Sequence, residues 1–133
     1  MMTLELLDGH SMRRIDAVRS VVAADASGMF GLMPGHEALV TVLEPGLLRY
    51  RCGGADAPWI HAACVGGLLR GADNHVRIVS RRFLSGDSPE QLQLELERLL
   101  TEEYSLRLSA RTSQAKIELA LLQRMQQLAQ HAP

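Results

Sequence analysis

The chain has 133 residues, 47% hydrophobic and 22% charged, with a formal net charge of −1; this balance fits a globular protein and excludes a disordered or fibrous chain. Near-neutral charge also argues against non-specific nucleic-acid binding, which needs a dense cationic surface to displace counterions. At this length one domain, or one domain with a small appendage, is expected to bury about two thirds of its unfolded surface.

Glu5 and Asp8 interrupt an N-terminus that has neither the basic start nor the apolar stretch of a secretory signal. No apolar run reaches the roughly 18 residues of a membrane span. The expectation is a chain that begins in the cytoplasm. In a reducing compartment Cys52 and Cys64 read as small hydrophobes rather than a disulfide.

Up to about residue 84, short runs of β-branched and apolar residues are broken repeatedly by turn formers, the texture of an all-β module. The predicted strands cover 3–7, 12–16, 18–24, 31–33, 38–43, 47–52, 59–64, 68–70 and 76–79. Turns are expected at Asp8-Gly9, Ser27-Gly28, Pro34-Gly35, Pro45-Gly46, Gly53-Gly54, Gly66-Gly67 and Asp73-Asn74. Each Pro-Gly step joins a φ of about −65° to a residue free to take positive φ, so both read as tight turns bracketing strand 38–43. Strands this short and closely spaced predict a sandwich or flattened barrel.

After Gly86 the apolar period changes from two to about 3.6. Ser88 is placed as an N-cap, Pro89 as the first helical residue, and Gln91 as the third-position partner of a capping box. Leu92, Leu96, Leu99 and Leu100 then share one face, and from about Thr112 a second amphipathic stretch sets Ile117, Leu121, Met125 and Leu128 on one side. Residues 103–111 contain neither Gly nor Pro. The residues alone therefore leave open a helical hairpin or one long bent helix.

The segment Gly28-Met29-Phe30-Gly31-Leu32-Met33-Pro34-Gly35-His36, followed by an apolar run and Pro45-Gly46, resembles the signature of the epsilon subunit of bacterial rotary F-type ATP synthases. Gly66-Gly67-Leu68-Leu69 is similar to a hairpin of the same family. The resemblance is strongest over 28–46 and architectural only from Ser88 onward. It implies a mainly β fold with an α-helical tail: a β-sandwich or flattened barrel over 1–85, then a C-terminal helical hairpin over 86–133. It further implies a non-catalytic central-stalk rotor subunit coupling ion translocation to ATP synthesis or hydrolysis. Implied partners are the gamma subunit, the membrane c ring, and the alpha/beta head through the tail. The implied location is peripheral, at the cytoplasmic face of the bacterial inner membrane, with contact to the membrane only through the complex.

By this resemblance Gly35, His36 and Glu37 form the partner-contact loop, while from the residues alone His36 reads equally as a turn histidine bonded to local backbone. Two departures matter. Many members read P-G-H-A-P where this chain has Pro34-Gly35-His36-Glu37-Ala38, which places an acid on the loop expected to face the c ring. Residues 88–93 lack the aspartate and arginine of the nucleotide-sensing motif carried by some members, so ATP binding is not carried over.

The remaining chemistry-bearing residues read as structural. Cys52, His61 and Cys64 lack a tight C-x-x-C pair, and a spacing of three in a strand puts His61 and Cys64 on opposite faces, so no metal site is expected. His10, His75 and His131 fall at turns or the terminus and are read as solvated, and Trp59 as an anchor of a sandwich edge. Gly28 to Gly35 feeds a strand and not a helix N-terminus, which rules out a phosphate-cradling loop. No nucleophile elbow or paired-carboxylate spacing is present, and neither a catalytic residue nor a cofactor is expected. The alternative function is a free-standing β-sandwich protein-binding module with a helical dimerisation tail.

Overall fold

The computed structural model describes residues 1–130. In this range nine strands precede one helix: β1 (Met2–Leu7), β2 (Met12–Asp25), β3 (Gly28–Leu32), β4 (Leu39–Leu43), β5 (Gly46–Cys52), β6 (Ile60–Cys64), β7 (Gly67–Ala72), β8 (His75–Ser80), β9 (Phe83–Ser85) and α1 (Pro89–Gln130). The hydrogen-bonded order is β1-β8-β7-β4-β2-β5-β6-β9, with β3 on β2 and a further β1–β2 pairing. Only β1–β8 is parallel; the other neighbours run antiparallel.

Strand β2 has 14 residues, twice the length of the next longest, and it joins the two layers of a β-sandwich. Its first half pairs with β1, and its second half with β3 and β5. The bend falls at Ala17, a non-glycine residue at φ 55 whose carbonyl accepts the Gly53 N–H at 3.2 Å. The register shifts beside it, as a bulge requires. The two strands expected at 12–16 and 18–24 are thus one, broken in the reading at the residue where the chain bends.

Alternation fills the space between the layers. Met2, Leu4 and Leu6 of β1, Val18, Val21 and Ala23 of β2, Leu48 and Tyr50 of β5, Leu69 of β7, and Val76 and Ile78 of β8 form one buried cluster. Cys64 belongs to it, and burial raises its thiol pKa. Both cysteines are free.

Several turns follow their residue chemistry. Asp73 and Asn74 sit at φ 52 and 58, the left-handed pair of a tight β7–β8 hairpin. Gly35 sits at φ 85, and the His36 N–H reaches the Met33 carbonyl at 3.1 Å, closing a turn over Pro34-Gly35. The second Pro-Gly step differs from expectation. Gly46 opens strand β5 without a positive φ, because its backbone is drawn into the ladder opposite Cys64.

The β2–β4 contact is tied by Asp25. Its carboxylate accepts from the Thr41 hydroxyl at 2.7 Å and from the Ser27 N–H at 2.9 Å, as well as from the Ser27 hydroxyl. The hydroxyl of Ser27, then that of Thr41, holds the Asp25 pKa below its ordinary value. A depressed folded-state pKa contributes stability above the unfolded value and loses it as pH falls through the folded one. Asp25→Asn should therefore flatten the low-pH limb of a thermal-stability profile below about pH 4, leaving the profile near pH 7 lower but parallel.

The tail departs from the expected hairpin: α1 is one continuous helix of 42 residues. With no Gly or Pro between Pro89 and the end of the helix at Gln130, nothing in that stretch forces the backbone out of its i→i−4 ladder. Its start is capped as the sequence indicates, with the Ser88 hydroxyl 3.4 Å from the Gln91 N–H and donating to Glu90 at 2.9 Å. Leu92 and Leu96 are each about 1% exposed, and Leu99 and Leu100 are half-buried. Chain contacts divide the protein into a unit spanning Met1–Glu97 and a second beginning at Arg98. In the second unit Ile117, Leu121, Met125 and Leu128 are exposed. No described helix is long and apolar enough to cross a membrane.

Candidate functional site

One end of the sandwich brings together the β3–β4 loop, residues 33–38, and the β7–β8 turn. The side chain of Asn74 does the joining: its Oδ1 accepts the Gly35 N–H at 2.7 Å, while its own carbonyl accepts the Thr3 N–H at 2.9 Å. The loop, the hairpin and the start of β1 are thereby bonded through one residue. In the sequence Asn74 stood out only as part of a turn, and Gly71 fell just beyond the strand expected at 68–70. The available signal for Asn74 was its Asp-Asn pairing, which favours left-handed backbone.

The three loop residues singled out from the sequence lie together but face differently. Gly35 and Glu37 are exposed, whereas His36 is half-buried. Its ring covers Gly71, where an added Cβ would lie 2.9 Å from His36 Cε1. Nδ1 is 2.9 Å from the Glu37 carbonyl, and since a carbonyl only accepts, Nδ1 carries the proton in this geometry.

The outer face of the β4-β7-β8-β1-β2 layer carries two ordered rows. Register aligns Val42, Leu68, Val79, Leu7 and Met12 across five strands, and Val42 and Met12 are 68% and 59% exposed. Four interstrand spacings make this row about 19 Å wide. Two residues along, the same register aligns Val40, Arg70, Arg77, Glu5 and Arg14. An apolar row rimmed by cations is the form of a protein-contact surface.

Glu5 anchors the charged row. Its side chain is only 8% exposed and takes Arg77 Nη2 and Nε, each at 3.0 Å from Oε2. His75 Nε2 lies 3.0 Å from Oε1, an ion-pair distance off the hydrogen-bond direction. His75, expected to be a solvated turn histidine, is instead drawn onto Glu5 by the parallel pairing of β1 with β8, which sequence spacing does not reveal. An open cavity of about 340 Å³ lined by Arg70, Ala72, Asp73, His75 and Arg77 adjoins this cluster.

Elsewhere, His61 is half-buried opposite Arg49 while Cys64 points into the core. Trp59 is half-buried, with the guanidinium carbons of Arg49 and Arg51 at 4.5 and 4.0 Å from its ring centroid, a double cation–π contact. His10 is exposed beside the Asp8 carboxylate, which accepts its N–H at 2.8 Å. His131 lies outside the described residues.

The sequence profile of the family described as "ATP synthase, Delta/Epsilon chain, beta-sandwich domain" matches residues 1–86. Among curated relatives, ATP synthase epsilon chain 2 of Cereibacter sphaeroides is 39% identical over 84 residues, 62% of this chain and 56% of that one. The match thus spans little more than half of that relative's length. ATP synthase epsilon chain 2 of Paraburkholderia xenovorans is 33% identical over 76% of this chain and 72% of its own, and the epsilon chain of Herpetosiphon aurantiacus 30% identical over 89% and 85%. A chain in a Tetrahymena thermophila mitochondrial ATP synthase central stalk and c-ring structure shares the fold, with TM-score 0.54 and 19% identity over 63% of this chain and 66% of that one. A profile match over the whole sandwich, joined to relatives aligned along most of the chain, shows that this protein belongs to the ATP synthase delta/epsilon family as an epsilon subunit of the F-type enzyme.

Proposed function

We propose that the chain is a non-catalytic subunit of the rotor's central stalk, peripheral at the cytoplasmic face of a bacterial inner membrane. The observation that carries this reading is the presence on one sandwich of two surfaces suited to holding neighbours: the bonded loop-and-turn end, and the apolar face rimmed by arginines. In this reading the gamma subunit is gripped by the face, and the loop at 33–38 rests on polar loops of the c ring. Torque from ion translocation passes through these contacts to the catalytic head. The apolar row supplies buried area, while the arginines set register more than affinity. The exposed apolar residues of the helix beyond Arg98 are available to the alpha/beta head, where a regulatory contact on hydrolysis belongs.

Glu37→Lys tests the loop. Rebinding of the soluble head to stripped membranes is expected to weaken by about tenfold, or 1.4 kcal/mol, with the melting curve of the isolated chain unchanged. Undiminished rebinding counts against the c-ring contact. Stoichiometric co-purification with a gamma-like coiled coil separates this reading from a free-standing binding module, which has no such partner.

A further inference from the structure

The ring of His36 is turned away from the surface that its loop presents. It covers Gly71 of β7, where an added Cβ would come within 2.9 Å of Cε1 and 3.6 Å of both ring nitrogens. Its Nδ1–H is spent on the carbonyl of the next residue, Glu37, at 2.9 Å. Its Nε2 is buried and has no hydrogen-bond partner. A nitrogen in that position cannot reach a docked protein without the ring leaving Gly71. On the same loop Met33 is 59% exposed and Glu37 is exposed.

We infer that His36 is a positioning residue that pins the β3–β4 loop onto Gly71, and that the groups offered to a partner are the Met33 side chain and the Glu37 carboxylate. Gly71 is then required because any larger residue takes the place of the ring. The loop is held at two points: the Gly35 N–H on Asn74 and the imidazole on Gly71. The pair presented outward fits a partner loop with an apolar seat beside a cation or a hydrogen-bond donor. This inference rests on the stalk reading for the identity of the partner but not for the latch itself.

The test uses the full chain and the amide exchange rates of Gly35 and His36, read by NMR. His36→Ala and Gly71→Ala should each speed exchange at both amides by about tenfold, since a single lost anchor is being read locally. His36→Asn should restore slow exchange, because its side-chain N–H₂ occupies the place of Nδ1–H. In the His36→Ala background, Gly71→Ala should add nothing, because the two act through one contact. Unchanged exchange in His36→Ala, failure of the asparagine to restore it, additive effects of the two changes, or global unfolding of His36→Ala would each overturn the assignment. Rebinding of the soluble head to stripped membranes then separates this inference from the stalk reading. If the exchange results hold while Met33→Ser and Glu37→Ala leave rebinding intact, the latch stands and the proposed c-ring contact falls.

Discussion

Gly67→Ala is expected to cost the sandwich about 3 kcal/mol, at the upper end of overpacking effects, and to lower the melting temperature by roughly 12 °C or more. A Cβ at this position would lie 2.0 Å from the Val79 carbonyl oxygen and 3.0 Å from its carbon. Both atoms belong to the backbone of the neighbouring strand, so no side chain can swing aside. The chain enters β7 here between Leu43 and Ser80, with the Ser80 hydroxyl donating to the Gly66 carbonyl at 2.6 Å. Moving the β7 backbone outward would break both ladders and that bond. Gly28→Ala is the control. Gly28 has φ 118 but open space around it, so its cost should stay near the roughly 1 kcal/mol of an unfavourable backbone conformation. Denaturant titration of the two variants checks the ranking, and equal losses would refute the steric account.

A chain ending at Ser85 is expected to be less stable by about 4 kcal/mol than one ending at Glu97, because Leu92 and Leu96 are each worth about 2 kcal/mol when buried. Both leucines are about 1% exposed. Leu92 reaches back to Gly86, with its Cδ2 at 3.4 Å from a Cβ built on that residue. Leu47 of β5 shares a groove with Pro89, Glu90, Gln93, Leu94 and Glu97, so the first turns of the helix lie beside the β5 strand. Removing these turns should leave a folded but weakened sandwich that binds a hydrophobic dye. Removing only the residues after Glu97 should leave its stability unchanged, since Met1–Glu97 is a contact unit in its own right. Identical denaturation midpoints for the two truncated chains would show that the helix start contributes nothing to the core.

Much of the β-module was legible because its signals are local. Period-two alternation marked β1, β5 and β8, and the Asp-Asn and Pro34-Gly35 pairs marked turns whose positive φ values the backbone shows. The helix start was legible for the same reason, since a cap is written within four residues. What stayed hidden was non-local. The three-residue strand β9 exists through its pairing with β6, and a segment that short carries no period. The His75–Glu5–Arg77 cluster depends on β1 lying parallel to β8 across some seventy residues.

The sequence by itself determined the class of fold and the family, because turn chemistry and hydrophobic period act between residues a few positions apart. Only the tertiary structure decided that the tail is one helix over Pro89–Gln130 and that its first two leucines complete the sandwich unit. It alone turned His36 inward over Gly71 while leaving Glu37 outside. Those outcomes are set by which strands become neighbours, and close packing between distant segments leaves no periodic mark on either of them.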